Sequence, residues 1–264
     1  MLYLRLVSLT LRAQLANRAS FVFDIITTAL VTGIYFGTLA AVFGRFGALG
    51  GWSLGEVAFL YGLIEIAFAL MDMFFSGYDP ALFQNYIRRG TLDQMLLRPV
   101  RLPTQILSTE FALRRLGRIA QGFVILGWSL TQVAVPWPPL KIAYLLVVIA
   151  SIVAYFGGLF IIGSAICFWT VQSIEAVNLF TYGGSEMLSY PLHIYADWLR
   201  RFFTFVLPAA LITYYPALYF LEKPDPFGLP LIMRFLAPLA GGAVLLVAAA
   251  LWQLGLRHYT STGT

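Results

Sequence analysis

Residues 84–105 read Q-N-Y-I-R-R-G-T-L-D-Q-M-L-L-R-P-V-R-L-P-T-Q, the most charged stretch of a chain that is otherwise mostly apolar. Arg88, Arg89, Arg98 and Arg101 crowd one loop between two long apolar runs. Within it the pattern predicts a short helix over 91–97. Thr91 is expected to cap its start, and Gln94, three residues on, to complete a capping box. Leu92, Met95 and Leu96 stand at i, i+3 and i+4 and so form one apolar ridge. Pro99 ends the helix and favours an extended Arg98. A short amphipathic helix in a basic loop either lies on a lipid surface or offers its ridge to the groove of a partner.

Composition sets the class around that loop. Of 264 residues, 60% are hydrophobic and 11% charged, more apolar surface than a soluble domain can bury, so a polytopic membrane protein is expected. The net charge of +5 is carried almost wholly by arginine, with lysine only at Lys141 and Lys223. Arginine gathered in loops fits membrane orientation rather than nucleic-acid binding. The single Cys167 excludes disulfides within the chain. Arg5, Arg12 and Arg18 punctuate the first leucines, so an interfacial helix over 1–20 is expected rather than a cleavable signal peptide.

The first span is expected over about 21–43, with Asp24 near its inner end and a Gly33-x-x-x-Gly37 pair that permits close helix approach. The loop that follows contains G-W-S-L-G at 51–55. It matches a nucleophile-elbow pattern but lacks the preceding strand, and Ser53 with Glu56 reads instead as a capping box opening the second span. No catalytic residue and no metal site are expected.

The second span, about 56–76, carries Glu65 and Asp72, and Asp79 follows at the same spacing of seven, so the three acids share one helix face. Each acid at membrane depth costs about 2.5–3.5 kcal/mol on insertion scales, so this face must look at protein or water. It is either a polar seam paired with arginines or hydroxyls of neighbouring spans, or an acidic wall for a cationic substrate. Further spans are expected over about 116–135 and 141–169. The amino arm and the 84–118 loop hold ten arginines, whereas the loops at 44–55 and 136–141 hold only Arg45 and Lys141, which places the amino terminus and the 84–118 loop in the cytoplasm. Beyond Trp169, either 171–190 or 202–221 can be the fifth span, and a sixth over about 231–254 returns the tail to the cytoplasm.

R-R-G-T-L-D-Q-M-L-L-R-P-V at 88–100, followed by Gln105, resembles the cytoplasmic loop of type-two ABC exporter permeases, nearest the branch grouped with viologen exporters. Y-P-L-H-I-Y-A-D-W-L-R-R-F-F-T-F-V-L-P-A-A-L-I-T-Y-Y-P-A at 190–217 is similar to the re-entrant segment such permeases carry before their last span. The resemblance covers the whole chain. It implies an all-α polytopic membrane protein of one permease domain, 1–264, with six transmembrane helices and both termini in the cytoplasm of a bacterial-type inner membrane. It makes 195–222 re-entrant, 171–190 the fifth span, and the 91–97 helix a coupling helix within the 84–105 loop. Thr91, Leu92, Asp93, Met95, Leu96 and Arg98 would then meet a separate ATPase subunit. Arg200 and Arg201 would lie outside, against the charge rule.

The sequence carries no G-x-x-x-x-G-K-[ST], since neither lysine follows glycine, so ATP and Mg would be held by the partner. Two ATPase subunits and a second permease, identical or related, are expected, besides membrane lipid and without nucleic acid. Glu65, Asp72, Glu175 and Glu186, with Tyr35, Phe68 and Tyr182, are the candidate substrate chamber, suited to flat organic cations. Export of a hydrophobic or cationic small molecule is the expected activity, and a secondary transporter or channel without an ATPase is the alternative.

Overall fold

The computed structural model describes residues 2–16, 18–172 and 175–260, apart from a few side chains near the amino end and at Arg114. The expected 1–20 and 171–190 elements are therefore described except at 1, 17, 173 and 174, and the side chains of Arg18 and Arg114 lie outside the description. The described chain is helical throughout, apart from turns and one isolated bridge between Leu49 and Trp52.

Helix α1, Leu2–Ala16, precedes α2, Arg18–Phe46. Helix α3 is Leu54–Phe75, and its start is capped as expected: Ser53 N donates to Glu56 Oε2 (2.8 Å) and Glu56 N donates to Ser53 Oγ. The serine of the elbow-like motif is thus a helix cap. A single 3-10 turn joins α3 to α4, Pro80–Arg88, and α5, Thr91–Leu96, and α6, Leu102–Thr109, follow. Two longer helices come next, α7, Leu116–Gln132, and α8, Pro139–Thr170. Residues 175–188 form α9, Glu175–Asn178, and α10, Gly184–Leu188, joined by a π-helical stretch. Helix α11, Asp197–Arg201, runs through a second π stretch toward α12, Ala209–Ile212, and α13, Tyr214–Phe220. The chain closes on α14, Ala237–His258.

Four helical stretches are long and apolar enough to cross a membrane: Phe21–Phe46, Leu54–Arg88, Pro139–Thr170 and Ala237–His258. A fifth is added if Asp197–Val206 and Ala209–Phe220, bent by 73°, count as one broken span. Of the six expected, α7 has only 17 residues, and 175–188 is shorter still. The chain is a multi-pass membrane protein on this evidence.

Helix α3 is the core. Seventeen of its 22 residues are buried, so it contacts protein on nearly every side. It lies against α7 at a very close crossing: a Cβ on Gly62 would stand 2.8 Å from Leu126 N, and one on Gly122 would stand 3.0 Å from Ile66 N. Small residues let the two backbones meet in a place where lipid offers no hydrophobic drive for association. Helix α8 also packs on α3, and α14 packs along α8. Helix α2 is the opposite case. Phe23, Leu30, Ile34 and Tyr35 are all exposed, and its buried apolar residues are Leu39 and Phe43. Gly33 faces Gln121 of α7 while Gly37 faces open space, so the glycine pair makes no shared contact within the chain.

The ends of the bundle differ in chemistry. At the arginine-rich end, α1 lies along α6, where Thr10 Oγ1 donates to Ser108 O (2.9 Å) and Gln14 bridges Phe111 O and Leu113 N. At the far end, the 47–56 turn meets the later chain: His193 Nε2 is 2.7 Å from Gly50 O, Trp52 stacks on Tyr214, and Lys223 pairs with Glu56 (2.7 Å). Lys141 pairs there with Glu222 (2.6 Å). Arg200 is bound by Asp197 at 2.8 Å and lies 3.9 Å over the Phe227 ring, so its charge is met locally.

Candidate functional site

The 84–105 segment folds as a tight corner of α4, α5 and α6. Asp79 caps α4, its Oδ1 accepting from Ala81 N at 2.9 Å, and Pro80 supplies a first-turn residue that needs no donor. The chain then reverses into α5 through Gly90 at φ +63°, a conformation that side chains resist. This corrects the expected cap. Gly90, not Thr91, precedes the helix, no side chain caps it, and Thr91 is already its first helical residue, so the capping box with Gln94 does not form.

The ridge is corrected too. Leu92 and Met95 are buried against the chain's own core, whereas Leu96 is 43% exposed and Leu97 is 87% exposed. Three helical positions bring Leu92 and Met95 to one face, and that face is the one the bundle covers. The apolar edge left outward is Leu96–Leu97, flanked by exposed Arg98.

Two side chains brace this edge. Gln105 Nε2, buried, donates to Met95 O (2.8 Å) and Val100 O (2.9 Å), closing the loop after α5. Tyr259, just past α14, donates its hydroxyl to Asp93 Oδ1 (3.0 Å) and rests on Phe168. The tyrosine had no signal in the sequence. Gln105 had one, its place after the 88–100 stretch that carries the family resemblance. Gln105→Ala leaves two carbonyls without their donor and is expected to cost about 1–3 kcal/mol locally. Faster amide exchange over 95–101 with unchanged exchange in α3 would show it.

The acid face of α3 meets arginines. Glu65 is held bidentately by Arg118, Nε to Oε2 at 2.5 Å and Nη2 to Oε1 at 2.9 Å, and Arg118 lies 5.2 Å from the Phe68 ring centre. Asp72 Oδ2 stands 2.6 Å from Arg115 Nη2, and Ser76 Oγ donates to Asp72 Oδ1 (3.1 Å). Asp79, expected on the same helix face, instead lies past the end of α3 and its 3-10 turn as the cap of α4, where its Oδ2 accepts from Tyr182 (2.8 Å). Two acids seven residues apart are ~10.5 Å apart along a helix, while Arg115 and Arg118 are separated by ~4.5 Å of rise, so the long arginine side chains splay to reach both. The seam of paired acids and arginines describes Glu65 and Asp72 as they stand.

Two adjoining polar cavities open along this seam. One, of about 310 Å³, is lined by Tyr35, Glu65, Arg118 and Glu186 among others. The second, of about 350 Å³, is lined by Asp72 and Tyr182, and also by Asp24, Asp79 and Glu110. Arg115 lines both. Of the expected chamber residues, Phe68 is buried behind the wall between Phe156 and Tyr182, and exposed Glu175 lines neither cavity and accepts from Asn178 instead. Glu110, which accepts from Tyr86, was not singled out in the sequence because it falls in a loop with no periodic partner.

A family model described as ABC-2 family transporter protein matches residues 29–263, from the middle of α2 into the tail. No curated protein and no solved structure matches the chain.

Proposed function

The chain belongs to the ABC-2 transporter family, a family of membrane-spanning transport permeases, and from that premise we propose that it is the transmembrane half of an ATP-driven exporter for hydrophobic or cationic small molecules. Two ATPase subunits carrying ATP and Mg, and a second permease, identical or related, complete the complex. The observation that carries this reading is the braced outward edge of α5. Leu96 and Leu97 are exposed leucines at the arginine-rich end, held by Gln105 and Tyr259, on a chain whose sequence carries no P-loop motif. Exposed apolar side chains on a rigid corner suit a groove in a partner.

The same reading puts that corner in the cytoplasm of a bacterial-type inner membrane, with both termini beside it. Six crossings follow: α2, α3 with α4, α7, α8, the 175–188 stretch and α14, with the bent 195–222 segment re-entering from the outer face. Support comes from the two ends of that segment, since Tyr195 bonds Met187 O and Glu222 pairs with Lys141. The branch resemblance to viologen exporters and the carboxylates of the two cavities favour organic cations as cargo. ATP-driven closure of the ATPase pair would push α5. The push passes through α4 into α3, and through Asp93 and Tyr259 into α14, in a rigid-body switch between inward-open and outward-open states.

The test is isolation of the tagged chain from its own membranes in mild detergent, followed by reconstitution. A P-loop ATPase is expected in equal amount, with ATP hydrolysis stimulated by a lipophilic cation. Transport driven by an ion gradient alone, with no ATPase in the complex, would contradict it and support a secondary transporter.

A further inference from the structure

The two arginines of the seam are held differently. Arg118 meets Glu65 with two aligned bonds. Arg115 approaches Asp72 with one terminal nitrogen, at 2.6 Å but not aligned to donate. Asp72 Oδ2 and Arg115 Nε, both buried, have no hydrogen-bond partner. Asp72 is only 3% exposed and lines the larger cavity, where its Oδ2 is met by the Arg115 charge without an aligned donor. A buried carboxylate held by one misaligned nitrogen is costly, and another cation entering the cavity can take the place of that charge.

The cavities also differ in charge. The smaller one sets Glu65 and Glu186 against Arg115 and Arg118 and is balanced. Among the described residues, the larger sets four carboxylates, Asp24, Asp72, Asp79 and Glu110, against one basic side chain, Arg115. Among the described residues no basic side chain pairs with Asp24, Asp79 or Glu110. Phe21, Phe111 and Tyr182 add ring surface to the same cavity. An excess of carboxylate beside aromatic rings favours a cation with an apolar body over a neutral or anionic molecule.

We infer that the larger cavity binds an organic cation with an aromatic body, and that Arg115 is its resident stand-in, displaced from Asp72 when the cation enters. The freed guanidinium then turns into the adjoining cavity, toward Glu186. Arg118, bidentate and stacked on Phe68, stays in place. Arg115 is thus a positioning residue whose release reports an occupied site. The inference rests on the export reading for the cargo's class, but the binding step needs no ATPase.

The experiment measures tetraphenylphosphonium binding to the full chain in lipid nanodiscs, with uncharged triphenylphosphine as the control. Asp72→Asn is expected to weaken phosphonium binding about tenfold, and Arg115→Gln to strengthen it about tenfold by removing the competitor. The double variant is expected to bind as weakly as Asp72→Asn, and the neutral probe to be unaffected in all of them. If Arg115→Gln does not fold, Asp72→Asn and Glu110→Gln carry the test, each expected to weaken the cation alone. Phosphonium affinity unchanged in Asp72→Asn, or equal losses for cation and neutral probe, would overturn the inference. ATP hydrolysis that stays coupled while Asp72→Asn binds phosphonium normally sinks this inference alone. Absence of an ATPase partner with Asp72-dependent binding intact sinks only the export reading.

Discussion

Arg118→Ala is expected to destabilise the bundle by about 3–5 kcal/mol, enough to remove most folded protein from detergent extracts. Glu65 is 3% exposed at the middle of α3, and the substitution leaves its charge without the bidentate partner that now holds it. The packing of Arg118 on the Phe68 ring is lost at the same time. Glu65→Gln in the Arg118→Ala background is expected to recover much of the loss, because the buried charge goes with it. Thermal melting in detergent, followed by size-exclusion chromatography, separates the outcomes. A melting point within a degree or two of the parent for Arg118→Ala would mean that the pair carries little of the fold.

Leu97→Asp is expected to do the reverse, leaving the fold intact and removing the ATPase. Leu97 is 87% exposed and gives the bundle almost no buried surface, so the chain loses little. A central apolar anchor replaced by a charge typically costs at least about 2 kcal/mol of binding, more than tenfold in affinity. Co-purification of the ATPase is expected to fall by that factor or more while the melting point holds. Leu92→Asp makes the contrast, since Leu92 is fully buried and its variant is expected to unfold the corner itself. Equal retention of the ATPase by Leu97→Asp and the parent would remove the α5 edge from the interface.

What the sequence carried and what it did not follow from range. The helix after Gly90, the Glu65–Asp72 pair on α3 and the cap at Ser53 are local patterns, set by residues within seven positions of one another, and they stand in the structure, whereas Asp79 falls past the end of α3 and caps α4. The T-L-D-Q pattern misplaced the cap because the reversal out of α4 consumes Gly90 in a left-handed turn, and Thr91 enters already helical. The pairing of Glu65 and Asp72 with Arg118 and Arg115 depends on where α3 crosses α7, fixed by Gly62 and Gly122, and no local pattern gives that register. Asp24 and Glu110 join the larger cavity only because α2 packs on α7 and the 113–115 turn, and the 110–115 segment folds back beside α3. The 171–190 stretch was ambiguous for a physical reason as well: it bears Glu175 and Glu186 and holds a π-helical break, so neither its polarity nor its length marks it as a span.

The most direct test of force transmission through α5 is a cross-link at Leu97. The chain's single Cys167 is buried, so Leu97→Cys in a Cys167→Ser background offers one accessible thiol. In the intact, ATP-hydrolysing complex, a short bifunctional maleimide is predicted to join that thiol to the ATPase subunit. It is also predicted to shield the thiol from a lipid-soluble maleimide. A thiol that reacts freely with the lipid-soluble reagent in the working complex, with no product containing the ATPase, would contradict the account.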